Sequence, residues 1–83
     1  MGKTPNPFSA AAEFGRRARD RRHELGLSRE DVADRSYLHW TYIGSVERGE
    51  RNLSLRAILQ IAAALEIDPA TLVGGLKLKQ KEY

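Results

Sequence analysis

The chain has 83 residues, enough for one domain with one modest core. It contains no cysteine, which excludes disulfides, thiolate metal sites and cysteine nucleophiles. The formal net charge of +3, from 14 basic and 11 acidic residues, points only weakly to a polyanionic partner. No apolar run approaches the roughly 20 residues of a membrane span, and the opening MGKTPNP lacks a signal-peptide hydrophobic region. We therefore expect a soluble, cytoplasmic protein with no membrane partner.

The basic residues are unevenly distributed. Five of the ten arginines fall between Arg16 and Arg22, and three of the four lysines are Lys77, Lys79 and Lys81. Clustered arginines suit contact with phosphate groups, whereas the alternative for such a run is a solvated helix face.

The first helix is expected after a flexible N-terminal arm at residues 1–8. It begins near Ser9, a usable N-cap, and ends at Gly26, a glycine suited to the position after a helix. Its inward residues recur every three or four positions: Ala11, Phe14, Ala18, Arg22 and Leu25.

Residues 28–47 predict two short helices joined by a tight turn. Ser28 and Asp31 have the spacing of a capping box, which opens the second helix. The third helix begins at His39, after the turn, and ends at Gly49. The residues spaced to pack one helix across the other are Val32, Ala33, Leu38, Ile43 and Val46. Such a pair suits insertion of its second helix into a DNA major groove.

Two further helices complete the domain. Ser54 caps the fourth, and Asp68 followed by Pro69 is a strong start signal for the fifth. The fourth helix has a broad face that we expect to be buried: Leu55, Ile58, Leu59, Ile61, Ala62 and Leu65. The sequence therefore predicts an all-α compact bundle of about five helices over residues 9–76, followed by a basic tail at 77–83.

Five motifs in a fixed order resemble those of the lambda-repressor-like (Xre or Cro type) helix-turn-helix family, over roughly residues 14–73. They are Gly26-Leu27-Ser28, Val32-Ala33, Tyr42-Ile43, Val46-Glu47-Arg48-Gly49 and Ile61-Ala62 with Leu65. The resemblance implies an ion pair between Arg22 and Glu47 that ties the first helix to the third. An exposed phosphate ligand is the alternative role for Arg22.

The resemblance also implies a DNA-contacting surface. The expected outward positions are Trp40, Thr41, Gly44 and Ser45, beside Tyr42, and Arg29 matches a phosphate-binding position. Arg48, Arg51 and Asn52 follow the recognition helix, where backbone or flanking-base contacts are made. The hydroxyl of Thr41 is able to donate or accept, and its methyl group can contact thymine.

Three residues depart from the family pattern. Tyr37 occupies a turn position where glycine or asparagine is common, so a positive φ there would cost about 1–2 kcal/mol. Trp40 offers one donor, and two readings stay open: contact with a sugar or thymine methyl, or packing within the protein. Gly44 has no side chain for base contact. Recognition therefore leans on Arg51, with Thr41, Ser45 and DNA shape.

The run from Thr41 to Ser54 resembles restriction-modification controller proteins more closely, with a phage-type or other small autoregulator as the alternative. In particular, Arg51-Asn52-Leu53-Ser54 is the better discriminator within the family. The resemblance implies a homodimer on a palindromic operator in double-stranded DNA. The apolar C-terminal end supports dimerisation, with the expected interface near Ile67, Leu72, Val73 and Leu76. The alternative is that Leu72 and Val73 only close the core over the fourth helix, and we expect a partly shared role.

Other function classes fit the sequence less well. His23 and His39 lie on different elements with no metal-ligand spacing, and no phosphate loop or paired-carboxylate site is evident. We therefore expect no enzyme activity, no metal, no cofactor and no small-molecule ligand. The alternative from another class is an antitoxin-like module that binds and occludes a partner protein, although few residues lie outside the fold for that task.

Overall fold

Five helices make up the part of the chain that the structure, a computed structural model, describes, namely residues 9–78. They are α1 (Ser9–Glu24), α2 (Arg29–Ser36), α3 (Trp40–Glu47), α4 (Leu55–Ala64) and α5 (Pro69–Val73). No strand occurs within that range. The all-α prediction is confirmed. The expected arm at 1–8 and residues 79–83 of the expected tail lie outside the described residues.

Local capping signals fix most helix ends. The capping box at α2 is complete: the Asp31 amide donates to Ser28 Oγ at 3.0 Å, and the Ser28 amide donates to Asp31 Oδ2 at 2.8 Å. The donation from the Ser28 amide to the carboxylate lowers the pKa of the Asp31 carboxyl. Ser54 and Asp68 cap α4 and α5 through their side chains. Gly26 and Gly49, with φ of 69° and 77°, follow α1 and α3 as predicted.

The core lies where α1, α2 and α4 enclose α3 and α5. Its fully buried large side chains are Ile61, Leu65, Leu72, Val32 and Val46. Leu72 has no exposed area, so its side chain closes the core of its own domain. Its expected additional role near a dimer interface stays a prediction.

Helix α1 makes its closest approach to α3 at Gly15. A Cβ there would overlap the carbonyl oxygen of Val46 and lie 2.7 Å from that of Glu47. Only a residue without a side chain fits between the two helices at this point, and the capping and periodicity signals do not reveal it.

The arginine cluster of α1 mostly serves the fold. Arg17 donates from Nη1 to the carbonyl oxygen of Gly74 at 2.8 Å, just beyond α5. Arg21 donates to the carbonyl oxygens of Leu65 and Glu66, both at 3.0 Å, at the end of α4. Cations stabilise the negative C-terminal ends of helices. Neither expected role, phosphate contact or solvated face, describes these two arginines.

Helix α4 is less buried than its pattern predicts. Leu55 and Leu59 are 72% and 47% exposed, although both were expected to face the core. Ile61 and Ala62 are buried as predicted. The core accepts only one side of α4 because this helix packs on α2 and α5 and leaves its opposite face uncovered.

Candidate nucleic-acid interface

Helix α3 is held on its inner side by the rest of the domain. Val32 and Ala33 of α2 and Ile43 and Val46 of α3 are buried together in the core. Both α1 and α2 pack against α3. This arrangement fixes the direction of α3 and leaves the beginning of its outer side accessible.

A buried carboxylate fastens α3 to both preceding helices. Arg22 donates to Glu47 from Nε at 2.7 Å and from Nη2 at 3.0 Å, and both side chains are nearly buried. The ion pair that the resemblance implied is therefore present, and Arg22 is not the exposed ligand of the alternative. Arg29, whose side chain is half exposed, donates from Nε to Glu47 Oε1 at 3.3 Å.

The turn before α3 adopts a strained conformation. Tyr37 has φ 61° and ψ 29°, in the left-handed region, and its side chain is 90% exposed. The positive φ considered from the sequence is thus present. Nothing within the described residues covers this phenol.

The N-terminal turn of α3 carries two accessible candidate residues. Thr41 is exposed, and Trp40 is half exposed while its indole stacks on the imidazole of His39 at 6.1 Å between centroids. Trp40 therefore packs on the protein through one face and leaves the rest accessible. His39, absent from the predicted site, is the N-cap: its Nδ1 accepts from the Thr41 amide at 3.2 Å.

Two expected outward positions are covered. Ser45 is only 5% exposed; its hydroxyl donates to the Tyr42 carbonyl oxygen at 2.7 Å and accepts from Arg51 Nε at 2.9 Å. Gly44 is buried beneath two arginines, since a Cβ there would lie 3.2 Å from Arg48 Nη1 and 3.9 Å from Arg29 Cδ. The expectation that both positions are free was wrong.

The basic residues beyond α3 are exposed, and contacts with neighbouring side chains hold them in place. Arg48 donates to both carboxylate oxygens of Glu50, at 3.1 and 3.2 Å, and this contact lowers the pKa of Glu50. Arg51 lies over the ring of Tyr42, 5.4 Å from its centroid. Asn52 is exposed beside it.

A comparison with known protein families decides the affiliation. The helix-turn-helix domain family matches residues 13–73, which include all five helices except the first turn of α1. The chain belongs to this family. Control protein C.SmaI from Serratia marcescens is 42% identical over 64 residues, or 77% of this chain and 76% of that protein. Control protein C.BamHI from Bacillus amyloliquefaciens is 41% identical over 61 residues, 72% of this chain and 75% of that protein.

Solved structures agree with this affiliation. The restriction-modification controller protein C.AhdI from Aeromonas hydrophila has a TM-score of 0.76 and 46% identity, covering 78% of this chain and 98% of that one. A tetramer of the controller protein C.Esp1396I, in complex with its natural 35 base-pair operator, has a TM-score of 0.72 and 30% identity, covering 77% and 84%. The sequence-based resemblance to controller proteins is confirmed.

No helix within residues 9–78 has the length and apolar character needed to cross a membrane. No group of three or more histidine or acidic side chains there is placed to hold a metal ion.

Proposed function

We propose that this protein is a sequence-specific transcriptional regulator of the restriction-modification controller kind, which binds a palindromic operator in double-stranded DNA as a homodimer. The observation that carries the proposal is that α3 is buried on one side and exposed at the beginning of the other. Its inner side is buried and pinned by Arg22 and Glu47, whereas Trp40 and Thr41 stand exposed at its beginning. A helix fixed in this way suits insertion into a major groove.

Phosphate contact is assigned to Arg29 and Arg48. Both lie against Gly44, and the absence of a side chain at that position lets two cations approach the surface of α3 at one place. Glu50 accepts from Nε and Nη2 of Arg48, which leaves Nη1 beside Gly44. Guanidinium groups match the geometry of phosphate oxygens, so this pair fits the DNA backbone.

Base contact is assigned to Thr41, Tyr42, Arg51 and Asn52, with Trp40 at the edge of the groove. The assignment to Arg51 is supported by its exposed position and by Ser45 and Tyr42, which hold its guanidinium from one side. Ser45 then acts by orienting Arg51. Arginine is the residue that most often reads guanine in the major groove.

Dimerisation is assigned to the C-terminal third of the domain. Besides the two aromatics near α3, the exposed large apolar side chains among the described residues are Leu55, Leu59, Val73 and Leu78. Of the interface expected from the sequence, Val73 is exposed, while Ile67 and Leu76 pack partly on the core. A two-fold axis near this region would place two copies of α3 about 34 Å apart, one DNA turn.

The test is binding to a duplex selected from a randomised library, measured as a function of salt. If about six phosphates are contacted, log K should fall with log salt at a slope of about −5. Arg51→Ala should weaken the selected duplex far more than a scrambled one, whereas Arg29→Ala should weaken both alike. Salt-insensitive binding, or equal affinity for both duplexes, would refute the proposal.

The proposal makes the protein a DNA-binding regulator and not an enzyme, and places its action in the cytoplasm, where operator DNA lies. Two similar proteins, C.SmaI and C.BamHI, are control proteins, which supports this view.

A further inference from the structure

The N-cap of α3 fixes which way one hydrogen bond points. The Thr41 amide donates to Nδ1 of His39 at 3.2 Å, and Thr41 Oγ1 lies 2.7 Å from the same nitrogen. A backbone amide is always a donor, so Nδ1 must act as an acceptor in this arrangement. A neutral imidazole has one acceptor nitrogen and one protonated nitrogen, which places the proton on Nε2.

This assignment determines the role of the Thr41 hydroxyl. Because Nδ1 carries no proton, the contact of 2.7 Å holds only if the hydroxyl donates its hydrogen to the imidazole. The hydroxyl has a single hydrogen, so its remaining capacity is that of an acceptor. Thr41 is exposed, and its two lone pairs are therefore what it offers to a partner outside the protein.

We propose that His39 is a specificity-determining positioning residue, which makes Thr41 an acceptor that reads an exocyclic amine of a DNA base. In the major groove these amines are N6 of adenine and N4 of cytosine, whereas guanine and the oxygen of thymine present only acceptors. The inference rests on the proposed function, since it names what one residue of the DNA-binding surface recognises.

Contacts around His39 keep the imidazole in this position. The Trp40 indole stacks against the ring with an interplanar angle of 24°. The ring also borders a small surface cavity of about 200 Å³, lined by Leu38, Ala33 and Glu30 as well. The imidazole is exposed, and the stacked indole together with the two contacts to Thr41 holds its orientation.

The first experiment needs no DNA. Long-range proton–nitrogen NMR spectra at neutral pH report the protonation of each ring nitrogen, and a His23→Gln variant separates the two histidines. The expected result is an unprotonated Nδ1 and a protonated Nε2 for His39. A proton on Nδ1 would overturn the inference without bearing on whether the protein binds DNA.

The second experiment uses the duplex selected from a randomised library. The position read by Thr41 is the one whose preference disappears in Thr41→Val. At that position of the duplex, adenine is exchanged for the unsubstituted base purine, or cytosine for pyrimidin-2-one. Each exchange removes only the exocyclic amine. Wild-type affinity should fall roughly fivefold, the value of one hydrogen bond, while Thr41→Val binds both duplexes equally. A selected guanine or thymine contact, or an equal loss in Thr41→Val, would overturn the inference.

The third experiment separates positioning from helix capping. His39→Ala removes both the cap and the acceptor, and its preference for the amine-bearing duplex should vanish. His39→Asn supplies an acceptor oxygen at a good N-cap and should restore the ratio of affinities. If His39→Ala left the ratio of affinities for the two duplexes unchanged, His39 would act only as the N-cap of α3. A library with no preferred sequence would overturn the proposed function as well, whereas a specific site indifferent to Thr41→Val would overturn only the base reading.

Discussion

Arg21 of α1 donates from Nε to the carbonyl oxygen of Leu65 at 3.0 Å, so the end of α4 is satisfied by a side chain from a distant part of the chain. A second donation, to the Glu66 carbonyl oxygen at 3.0 Å, makes the contact two-pronged. The last carbonyl groups of a helix have no partner within it, which is why a guanidinium at this place stabilises the attachment of α1 to the C-terminal end of α4.

Replacing Arg21 should therefore destabilise the fold. For Arg21→Gln we expect a loss of about 1–3 kcal/mol in the free energy of unfolding, the usual range for hydrogen bonds to a charged group. Urea titration followed by circular dichroism measures it. Arg19→Gln is the matched control, because Arg19 is exposed on the same helix and should change stability by less than about 0.5 kcal/mol. Equal losses would mean that net charge and not capping is responsible.

The left-handed turn at Tyr37 predicts a stabilising substitution. Tyr37→Gly relieves a steric cost of about 1–2 kcal/mol, part of which is offset by the greater freedom of glycine in the unfolded chain. We expect a net gain of about 0.5–1 kcal/mol in thermal or urea unfolding. Tyr37→Ala removes the same exposed ring but keeps Cβ, and it should show no gain. A gain in both variants would assign the effect to the exposed phenol instead.

Gly44→Ala should separate stability from binding. Alanine is the better helix former by about 1 kcal/mol, so the free energy of unfolding should rise. The new Cβ would stand 3.2 Å from Arg48 Nη1, which must move away, and affinity for the selected duplex should fall several-fold. In an Arg48→Ala background the same substitution should cost little further affinity. Full additivity of the two losses would show that Gly44 does not act through Arg48.

Acid should remove a stabilising contribution of α1. Arg16, and next to it Arg17, donate to Glu13 and lower the pKa of its carboxyl from 4.5 to about 2. Since the pKa is lower in the folded state, this contribution is complete above about pH 4.5 and is lost as the pH falls towards 2. Unfolding measured across this range should have a shallower pH dependence in Glu13→Gln. An unchanged slope would contradict the assignment.

Leu59→Lys should shift the protein from dimer to monomer. Leu59 is half exposed on α4, where a lysine is tolerated in the monomer but would place a charge in a dimer interface. Sedimentation velocity over a concentration series measures the shift. Ala12→Lys, an exposed position on α1, serves as the control and should leave the association constant unchanged. A Leu59→Lys variant that still dimerises like the wild type would move the interface elsewhere.

Helix ends could be predicted from the sequence because their signals are local. The capping box at Ser28 and the proline after Asp68 need no knowledge of the rest of the fold. The exposure of Leu55 could not be predicted, because an apolar repeat gives the period of a helix but not the width of the face that its neighbours cover. The roles of Arg17 and Arg21 depend on a tertiary approach across more than forty residues.

The candidate site, like the fold, could be predicted from the sequence only in part. The positions of Arg48, Arg51 and Asn52 after the recognition helix were predicted from the family resemblance, and all three are exposed. The burial of Ser45 could not be predicted, because it depends on the Arg51 side chain, which folds back over α3 and donates to the Ser45 hydroxyl. The role proposed for His39 could not be predicted from the sequence, because it depends on which ring nitrogen carries the proton, and no sequence pattern reports that.

The triad of Arg22, Glu47 and Arg29 has a bearing on how DNA is engaged. Glu47 already accepts two hydrogen bonds from Arg22, at 2.7 and 3.0 Å. The longer hydrogen bond from Arg29, at 3.3 Å, is therefore not required to neutralise the buried carboxylate. In the proposed complex Arg29 turns towards a phosphate, and no buried charge is left uncompensated, because Arg22 still pairs with Glu47. The proposed DNA contact of Arg29 therefore leaves the ion pair that links α1 to α3 intact.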